Sequence, residues 1–210
     1  MRTLDFLILT KYDNNDCKFK EENRMIKLVK VSKKYLPNVM KVIDEHRLDT
    51  SPFGLRGNIS SLLMAIDNNT LTEWFAKKKN EDKGINLKPN HVRGTDYWLM
   101  DGDEYVGSFS LRHSLTDKLM IHGGNIAYVI LPSKRRKGYA FAGLSLCLIE
   151  AKKIGLQRVL ITCDTKNEAS YAVIKKALKH YGGKKLPDIA FENTLNHRVW
   201  INTIDKDKIR

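Results

Sequence analysis

The sequence predicts an α/β fold in which a mixed, mostly antiparallel central sheet is flanked by helices and includes one parallel strand pair. Residues 97–111 form a strong hairpin signal, with β-rich runs on both sides of the turn Asp101-Gly102-Asp103. A strand, a basic loop and a helix follow at 125–146, and a nearly unbroken apolar strand follows at 158–163. Strand, helix and strand in this order form a right-handed crossover, which predicts that the 158–163 strand runs parallel to the 126–130 strand.

The remaining elements follow from local pattern. A strand from Ile26 to Val31 leads to Ser32 as an N-cap and to a helix whose inward residues are Leu36, Val39, Met40 and Ile43. A short helix at 60–66, a helix from Thr72 that ends in the lysines 77–79, and a polar loop at 80–89 come next. Residues 97–130 form a three-stranded meander, and Gly155 ends the helix 139–154. Asn167 caps a helix that ends at Gly182-Gly183, and strands at 189–192 and 198–204 complete the chain.

Length and composition narrow the class of protein. The 210 residues suffice for one well-buried core, so we expect a single domain at 25–210 after an extension of uncertain structure at 1–24. The net charge of +13 favours an anionic partner, such as a polyphosphate cofactor, nucleic acid or an acidic membrane face. The three cysteines are widely spaced, which predicts neither a disulfide framework nor a metal site and fits a reducing cytoplasm. No apolar run approaches the ~20 residues of a membrane span.

The basic loop predicts an anion site. Four consecutive cations, Lys134 to Lys137, lead directly into Gly138 and the start of a helix. The free amides and the dipole at a helix N-terminus attract anions, and the neighbouring cations add to that attraction. The stretch 125–146 is therefore expected to bind phosphate.

Two motifs resemble a known family. Arg135-x-x-Gly138-x-Ala140 after a strand resembles the Gln/Arg-x-x-Gly-x-Gly/Ala signature of the GNAT superfamily of acyl-CoA-dependent N-acetyltransferases, and Asn167-x-x-Ser170 after a buried strand is similar to its Asn-x-x-Ser element. The resemblance covers most of the chain after Met25. Further matches resemble an uncharacterised bacterial branch of predicted acetyltransferases, which gives no substrate: Arg112-His113-x-Leu115, Gly124-x-Ile126-x-Tyr128, Pro132-Ser133 and Arg136-Lys137-Gly138-Tyr139-Ala140.

The resemblance implies acetyl-CoA as cosubstrate, with no metal. Gly138 would let main-chain amides approach the pyrophosphate of coenzyme A, while the cations supply charge. The main chain of the preceding strand would pair with the pantetheine arm as an added strand does, and one N–H would polarise the thioester carbonyl. The implied cofactor-binding residues are Val129, Ile130, Leu131, Arg135, Arg136, Lys137, Gly138, Tyr139, Ala140, Asn167 and Ser170.

The catalytic groups follow the family pattern less closely. An amine resembling lysine, with a pKa near ~10.4, needs a base at neutral pH, yet the 125–131 strand carries no carboxylate. His113, with Glu104 behind it, is the candidate base, although an ordinary hydrogen-bonded histidine is the competing interpretation. Ile174 stands where relatives commonly have the tyrosine that protonates the leaving thiolate. Tyr171 on the same helical face is therefore the candidate acid, with simple packing as its alternative.

Two other functions stay open. A Lys-Arg-Arg-Lys run also occurs in nucleic-acid-binding patches, and an acetyltransferase fold without its acid and base can serve as an acyl-CoA sensor. The acceptor is open among a metabolite amine, an antibiotic, a protein N-terminus and a lysine, because residues 44–92 carry no recognisable motif. A homodimer is also left open.

Overall fold

A computed structural model describes residues 25–53 and 58–206. The 1–24 extension, Gly54 and Gly57 lie outside the described residues. The strands are β1 Ile26–Lys30, β2 Gly94–Asp101, β3 Glu104–Arg112, β4 Ile126–Ile130, β5 Arg158–Asp164, β6 Gly183–Phe191 and β7 Thr194–Asn202. The helices are α1 Leu36–Met40, α2 Asp44–Arg47, α3 Asn58–Asp67, α4 Leu71–Lys83, α5 Asp117–Ile121, α6 Tyr139–Lys153 and α7 Glu168–Tyr181, with 3₁₀ turns at Lys33–Tyr35 and Pro132–Lys134.

The strands form two antiparallel sheets. The first has the order β1-β2-β3-β4, which confirms the predicted meander, and the second has the order β5-β7-β6. β4 and β5 are therefore edge strands of different sheets. Among the described residues no ladder joins them, so their parallel pairing stays a prediction.

Asn125, directly before β4, connects the two sheets. Its N–H donates to the Leu160 carbonyl at 2.7 Å, and its Oδ1 accepts the Leu160 N–H at 2.8 Å. Its Nδ2 donates to the Arg112 carbonyl at 3.0 Å, and the residue is only 2% exposed. Because a buried amide of this kind needs all its partners, Asn125 fixes where the edges of β4 and β5 meet.

Helices cover both faces of the first sheet. α6 packs on one face, where its Leu144 and Leu148 join Phe109 and Leu111 of β3 in a fully buried core. This packing is close at Gly143, where a Cβ would lie 2.3 Å from the Phe109 ring. The opposite face carries a second cluster built by α1, α3 and α4, with Val39, Ile59, Leu62 and Trp98 at its centre.

Element boundaries depart from the sequence expectations mainly at helix ends. The helix predicted after Ser32 is broken into a 3₁₀ turn, α1 and α2, and Met40, expected inside, is 40% exposed. α4 continues through the predicted loop to Lys83, where Gly84 ends it in the left-handed conformation with φ +73°. Thr116 starts α5 by accepting the Leu119 N–H, an element that the sequence analysis missed. The last two strands are longer than predicted because they pair along nearly their whole length.

Candidate active site

The loop between β4 and α6 has the geometry of an anion site. Gly138, the N-cap of α6, has φ +85° and ψ −10°, and a Cβ there would meet no atom within 4 Å. The glycine is therefore required by its left-handed backbone and not by crowding. Arg136 also has a positive φ, at +62°. The first N–H groups of an α-helix have no acceptor within the helix, so the N-terminal end of α6 favours an anion.

The four cations of the loop do different things. Lys134 pairs with Glu104 at 2.6 Å, and Arg135 pairs with Asp49, whose side chain is 5% exposed. Arg136 and Lys137 are exposed, and neither makes an ion pair with any described residue. The charge available to an anion is thus reduced to these two side chains, which the sequence alone could not distinguish from their neighbours.

The main chain of β4 has one edge paired and one edge directed away from its sheet. The Asn125 carbonyl accepts from Arg112 N at 2.7 Å, and the Leu131 N–H donates to the Val106 carbonyl at 3.0 Å. Because main-chain groups alternate in direction along a strand, the odd-numbered residues of β4 face β3. The predicted pairing of pantetheine with Val129 and Leu131 is corrected accordingly, since their main-chain groups belong to the sheet.

The even-numbered residues of β4 direct their main-chain groups to the other edge. Tyr128 and Ile130 are the two closest to the anion loop, and the Ile130 carbonyl already accepts Arg135 Nε at 3.2 Å. The Tyr128 N–H and carbonyl and the Ile130 N–H therefore form the open edge of β4, the term used below for these three groups.

The Asn-x-x-Ser motif joins α7 to β4. Asn167 caps α7 as predicted, with its Oδ1 accepting the Ser170 N–H at 3.0 Å. The Ser170 hydroxyl lies 3.0 Å from the Tyr128 hydroxyl, and the Tyr128 ring stacks on Phe109 at 5.3 Å. Burial raises the pKa of Tyr128 well above its ordinary value, so the phenol stays protonated. The motif thus locks α7 beside β4, while direct cofactor contacts by Asn167 and Ser170 stay a prediction.

Tyr139 and Tyr171 are engaged elsewhere. The Tyr139 side chain is buried and its hydroxyl donates to Asp101 at 2.6 Å. The Tyr171 ring stacks on His197 of β7 with centroids 3.8 Å apart, and Lys175 Nζ lies 4.9 Å from its centroid. This stacking supports packing as the role of Tyr171. Ile174 is fully buried, so no acid occupies the family position.

His113 is far from the open edge of β4. It follows the last residue of β3 and lies level with the residue before Asn125, so Tyr128 is roughly 13 Å further along the sheet at ~3.3 Å per residue. Its Nε2 lies 2.9 Å from the Thr95 hydroxyl, which donates to Asp82 at 2.5 Å. Glu104 is at the opposite end of β3 and not behind His113. The role of His113 as base stays a prediction, and this separation counts against it.

A polar row that the sequence analysis missed leads across the sheet towards β4. Asp96 of β2, Ser110 of β3 and Ala127 of β4 are successive register partners. The Ser110 hydroxyl donates to Asp96 Oδ1 at 2.5 Å, and Lys78 Nζ lies 2.8 Å from Asp96 Oδ2. Burial lowers the pKa of Lys78, but Asp96 and the neighbouring Glu81 raise it by more, so the Lys78 side chain stays protonated. Ser110 and Ala127 are half-buried, which makes this row reachable from solvent.

A second polar chain is fully enclosed. His46 Nε2 lies 3.1 Å from the Tyr105 hydroxyl, which lies 2.9 Å from the Ser108 hydroxyl. Burial, reinforced by Arg135, lowers the pKa of His46 to about 4, so its imidazole is neutral. His46 Nδ1 has no hydrogen-bond partner among the described residues.

Comparison with known proteins identifies the family. The model of the acetyltransferase (GNAT) domain matches residues 63–177, just over half of the 210 residues. The chain belongs to the GNAT acetyltransferase family. The family confirms the resemblance read from the two motifs and makes the protein an N-acetyltransferase, with the anion loop and Asn167 inside the matched range. No curated protein matches the chain by sequence.

Solved structures share the fold. The ribosomal L7/L12 alpha-N-protein acetyltransferase RimL matches at 14% identity, 84% of this chain, 90% of that chain and a TM-score of 0.56. The microcin C7 self-immunity acetyltransferase MccE, solved with acetyl-CoA and AMP, matches at 15% identity, 85% of this chain, 92% of that chain and a TM-score of 0.52. A chimera of the spermidine N-acetyltransferase SpeG from Vibrio cholerae and hSSAT matches at 12% identity, 85% and 95% coverage and a TM-score of 0.52. These similarities confirm the α/β fold.

The described part of the chain has neither of two other features. It contains no group of three or more His, Cys, Asp or Glu residues placed to hold a metal ion. No helix within it is long and apolar enough to cross a membrane.

Proposed function

We propose that this acetyltransferase moves an acetyl group from acetyl-CoA to a primary amine by direct attack of the amine on the thioester. The observation that carries the proposal is the continuity of the open edge of β4 with the anion loop that begins α6. An extended ligand with a phosphate at one end matches this arrangement, because strand-like pairing holds the arm and helix amides hold the phosphate. Coenzyme A has this form, and related structures were solved with coenzyme A or acetyl-CoA.

The cofactor contacts follow from the geometry. The main-chain amides of Gly138 and Ala140 bind the pyrophosphate, and the exposed Arg136 and Lys137 add charge. The pantetheine arm pairs with Tyr128 and with the Ile130 N–H. One of these N–H groups polarises the thioester carbonyl and stabilises the oxyanion, a contribution that needs no particular side chain.

The amine approaches from the sheet face that carries Ser110. The opposite face at Tyr128 and Ile130 is filled by the α6 core, whereas Ser110 and Ala127 are half-buried. Deprotonating an amine with a pKa near ~10.4 at pH 7 costs about 4 to 5 kcal/mol, so a proton acceptor must be close. We assign this role to Asp96, reached through Ser110. The Ser110 hydroxyl donates to Asp96 and keeps lone pairs that accept from the amine or from a bridging water.

The leaving group needs little help. As the amine nitrogen bonds to the carbonyl carbon, the carbon–sulfur bond breaks and the thiolate departs. A thiol pKa near ~8.5 makes the thiolate a fair leaving group at neutral pH, so a site with Ile174 in place of an acid still functions. The proton that the ammonium loses before attack travels through Ser110 to Asp96. The second proton leaves the nitrogen as the tetrahedral intermediate collapses and reaches the departing thiolate through solvent.

The proposal specifies the acceptor only as a primary amine. The similar structures include enzymes named for a protein N-terminus and for spermidine, and both substrates present such an amine. The N-terminal amine has the lower pKa, about 7.7 to 8.0, and places the smaller demand on Asp96.

Titration calorimetry with acetyl-CoA, followed by a panel of amines with free-thiol detection, tests the proposal. We expect binding of acetyl-CoA and steady release of thiol with at least one primary amine. Absence of acetyl-CoA binding refutes the proposal. Tight binding with no turnover across polyamines, amino acids, aminoglycosides and short peptides would instead favour the sensor function that the buried Ile174 motivates.

A further inference from the structure

Arg135, the first residue of the family signature, directs each nitrogen of its guanidinium at a protein acceptor, while its side chain is 35% exposed. Its Nε donates to the Ile130 carbonyl at 3.2 Å, and one terminal nitrogen donates to Asp49 Oδ1 at 3.3 Å and to the Ser51 hydroxyl at 3.5 Å. The other terminal nitrogen forms a short ion pair with Asp49 Oδ2. All three nitrogens therefore have protein partners, and the planar fork is used on a carboxylate.

Asp49 is built to hold this contact. Its side chain is 5% exposed, and its Oδ1 also accepts the Ser51 N–H at 3.1 Å. The hydrogen bond from Arg135 is the main reason that the pKa of Asp49 falls to about 2, so the carboxylate is ionised at any working pH. Because the Asp49 carboxylate is nearly enclosed, withdrawing Arg135 from it would leave a negative charge without its counter-charge.

A second contact ties the same two segments together. The Ser133 N–H, in the 3₁₀ turn before Arg135, donates to Glu45 Oε2 of α2 at 3.2 Å. Residues 45–51, here called the clipped segment, are thus attached to the cofactor loop at both ends. The clipped segment precedes α3, on the sheet face from which the amine approaches.

We propose that Arg135 is a positioning residue that couples coenzyme A binding to the order of the clipped segment, and that it does not bind the pyrophosphate. The inference rests on the proposed function. A cofactor that immobilises the loop 132–138 also immobilises the clipped segment, because the two segments are bonded together. The conformational entropy lost when one is ordered is then not lost again when the other is ordered. The expected consequence is that the clipped segment is more ordered in the complex with coenzyme A than in the free protein.

The alternative role of Arg135 makes opposite predictions. If Arg135 bound the pyrophosphate, Asp49 would compete with the cofactor for it, and Asp49→Asn would release the guanidinium and tighten coenzyme A binding. If Arg135 positions the clipped segment, Asp49→Asn disconnects the segment and leaves coenzyme A binding to Arg136, Lys137 and the loop amides.

The experiment uses coenzyme A as the probe and needs no acceptor. Hydrogen exchange of peptides that cover residues 45–51 is followed with and without saturating coenzyme A, beside calorimetric affinities. In the wild type we expect coenzyme A to slow this exchange about fivefold or more, the lower end of typical coupling between sites. In Asp49→Asn the slowing is lost, while the affinity for coenzyme A changes by less than about tenfold.

The matched control is Lys137→Gln, which removes an exposed cation of the same loop that makes no ion pair with any described residue. This variant should bind coenzyme A more weakly, and its affinity should depend less on salt. Saturating coenzyme A should still slow hydrogen exchange in residues 45–51. Arg135→Lys keeps the charge but cannot make the fork, so it should behave as Asp49→Asn does even if that variant is poorly folded.

Four results overturn the inference. Coenzyme A binding without any slowing of exchange in the wild type refutes the coupling alone, and so does slowing that survives in Arg135→Lys. Tighter coenzyme A binding in Asp49→Asn assigns Arg135 to the pyrophosphate. Absence of coenzyme A binding to the wild type refutes both the coupling and the proposed function, which separates the two failures.

Discussion

The pair Gly138→Asp and Gly138→Asn isolates the charge that the anion loop is expected to meet. Gly138 has φ +85°, a conformation that asparagine and aspartate tolerate better than other residues with a Cβ. The new side chain meets no atom within 4 Å of its Cβ, so both variants should fold with a similar loss of stability, about 1 kcal/mol. The two side chains have nearly the same shape, and they differ by one negative charge beside the proposed pyrophosphate.

The size of the effect follows from Coulomb's law. Two unit charges ~5 Å apart at an effective dielectric constant of ~20 repel by about 3 kcal/mol, which corresponds to an affinity loss on the order of 100-fold. Gly138→Asn should bind coenzyme A more weakly than the wild type, and Gly138→Asp should bind more weakly still by about that factor. Calorimetry at low and high salt measures both, and the gap should narrow with salt as screening increases. Equal affinities of the Asp and Asn variants would show that the phosphate lies elsewhere.

Three further predictions concern stability and turnover. Burial lowers the pKa of His46 from 6.5 to about 4, so the unfolded chain binds the proton more readily than the folded protein does, and the free energy of unfolding should fall by about 3 kcal/mol as the pH drops from 6.5 to 4. Urea unfolding measured across this pH range should show a smaller fall for His46→Gln than for the wild type. An equal fall in both proteins would contradict the assignment. Gly143→Ala places its Cβ against the Phe109 ring, so an overpacking cost of about 1–3 kcal/mol should outweigh a helix-propensity gain of up to ~1 kcal/mol. Thermal unfolding should show a lower Tm for this variant, and the drop in Tm should be smaller when the substitution is made in a Phe109→Leu background. Asp96→Asn should lower kcat/KM for the amine by roughly 10²-fold or more and leave the affinity for coenzyme A unchanged. The control His113→Gln should keep full turnover. Full turnover of Asp96→Asn would show that Asp96 is not the proton acceptor.

Much of the fold and half of the site were predictable because their causes are local. The hairpin with its Gly102 turn, the caps at Asn167 and Gly155 and the helix start at Gly138 each depend on a few consecutive residues. Strand alternation likewise showed which segments are buried. Sequence reasoning failed first where a helix was broken after Ser32, because packing on the sheet decides such breaks.

The remaining half of the site depends on contacts between residues that are distant in the chain. His113 was chosen by residue type, but the register of β3 with β4 places it far from Tyr128. Asp96 stands at the edge of an apolar run and became a candidate only because Ser110, its register partner on the next strand, donates a hydrogen bond to it. No periodicity in the sequence encodes either relation.

The sequence by itself determined that this protein has a strand, a basic loop and a helix of the GNAT kind, since turn, cap and helix-dipole chemistry act within a few residues. The tertiary structure decided which of the loop's cations face solvent and which are used internally. Arg135 and Asp49 are 86 positions apart, and only the packing of α2 against the loop brings them together. The sequence shows which residues are charged, but the fold determines which charges pair, because Coulomb interactions depend on distance in space and on burial.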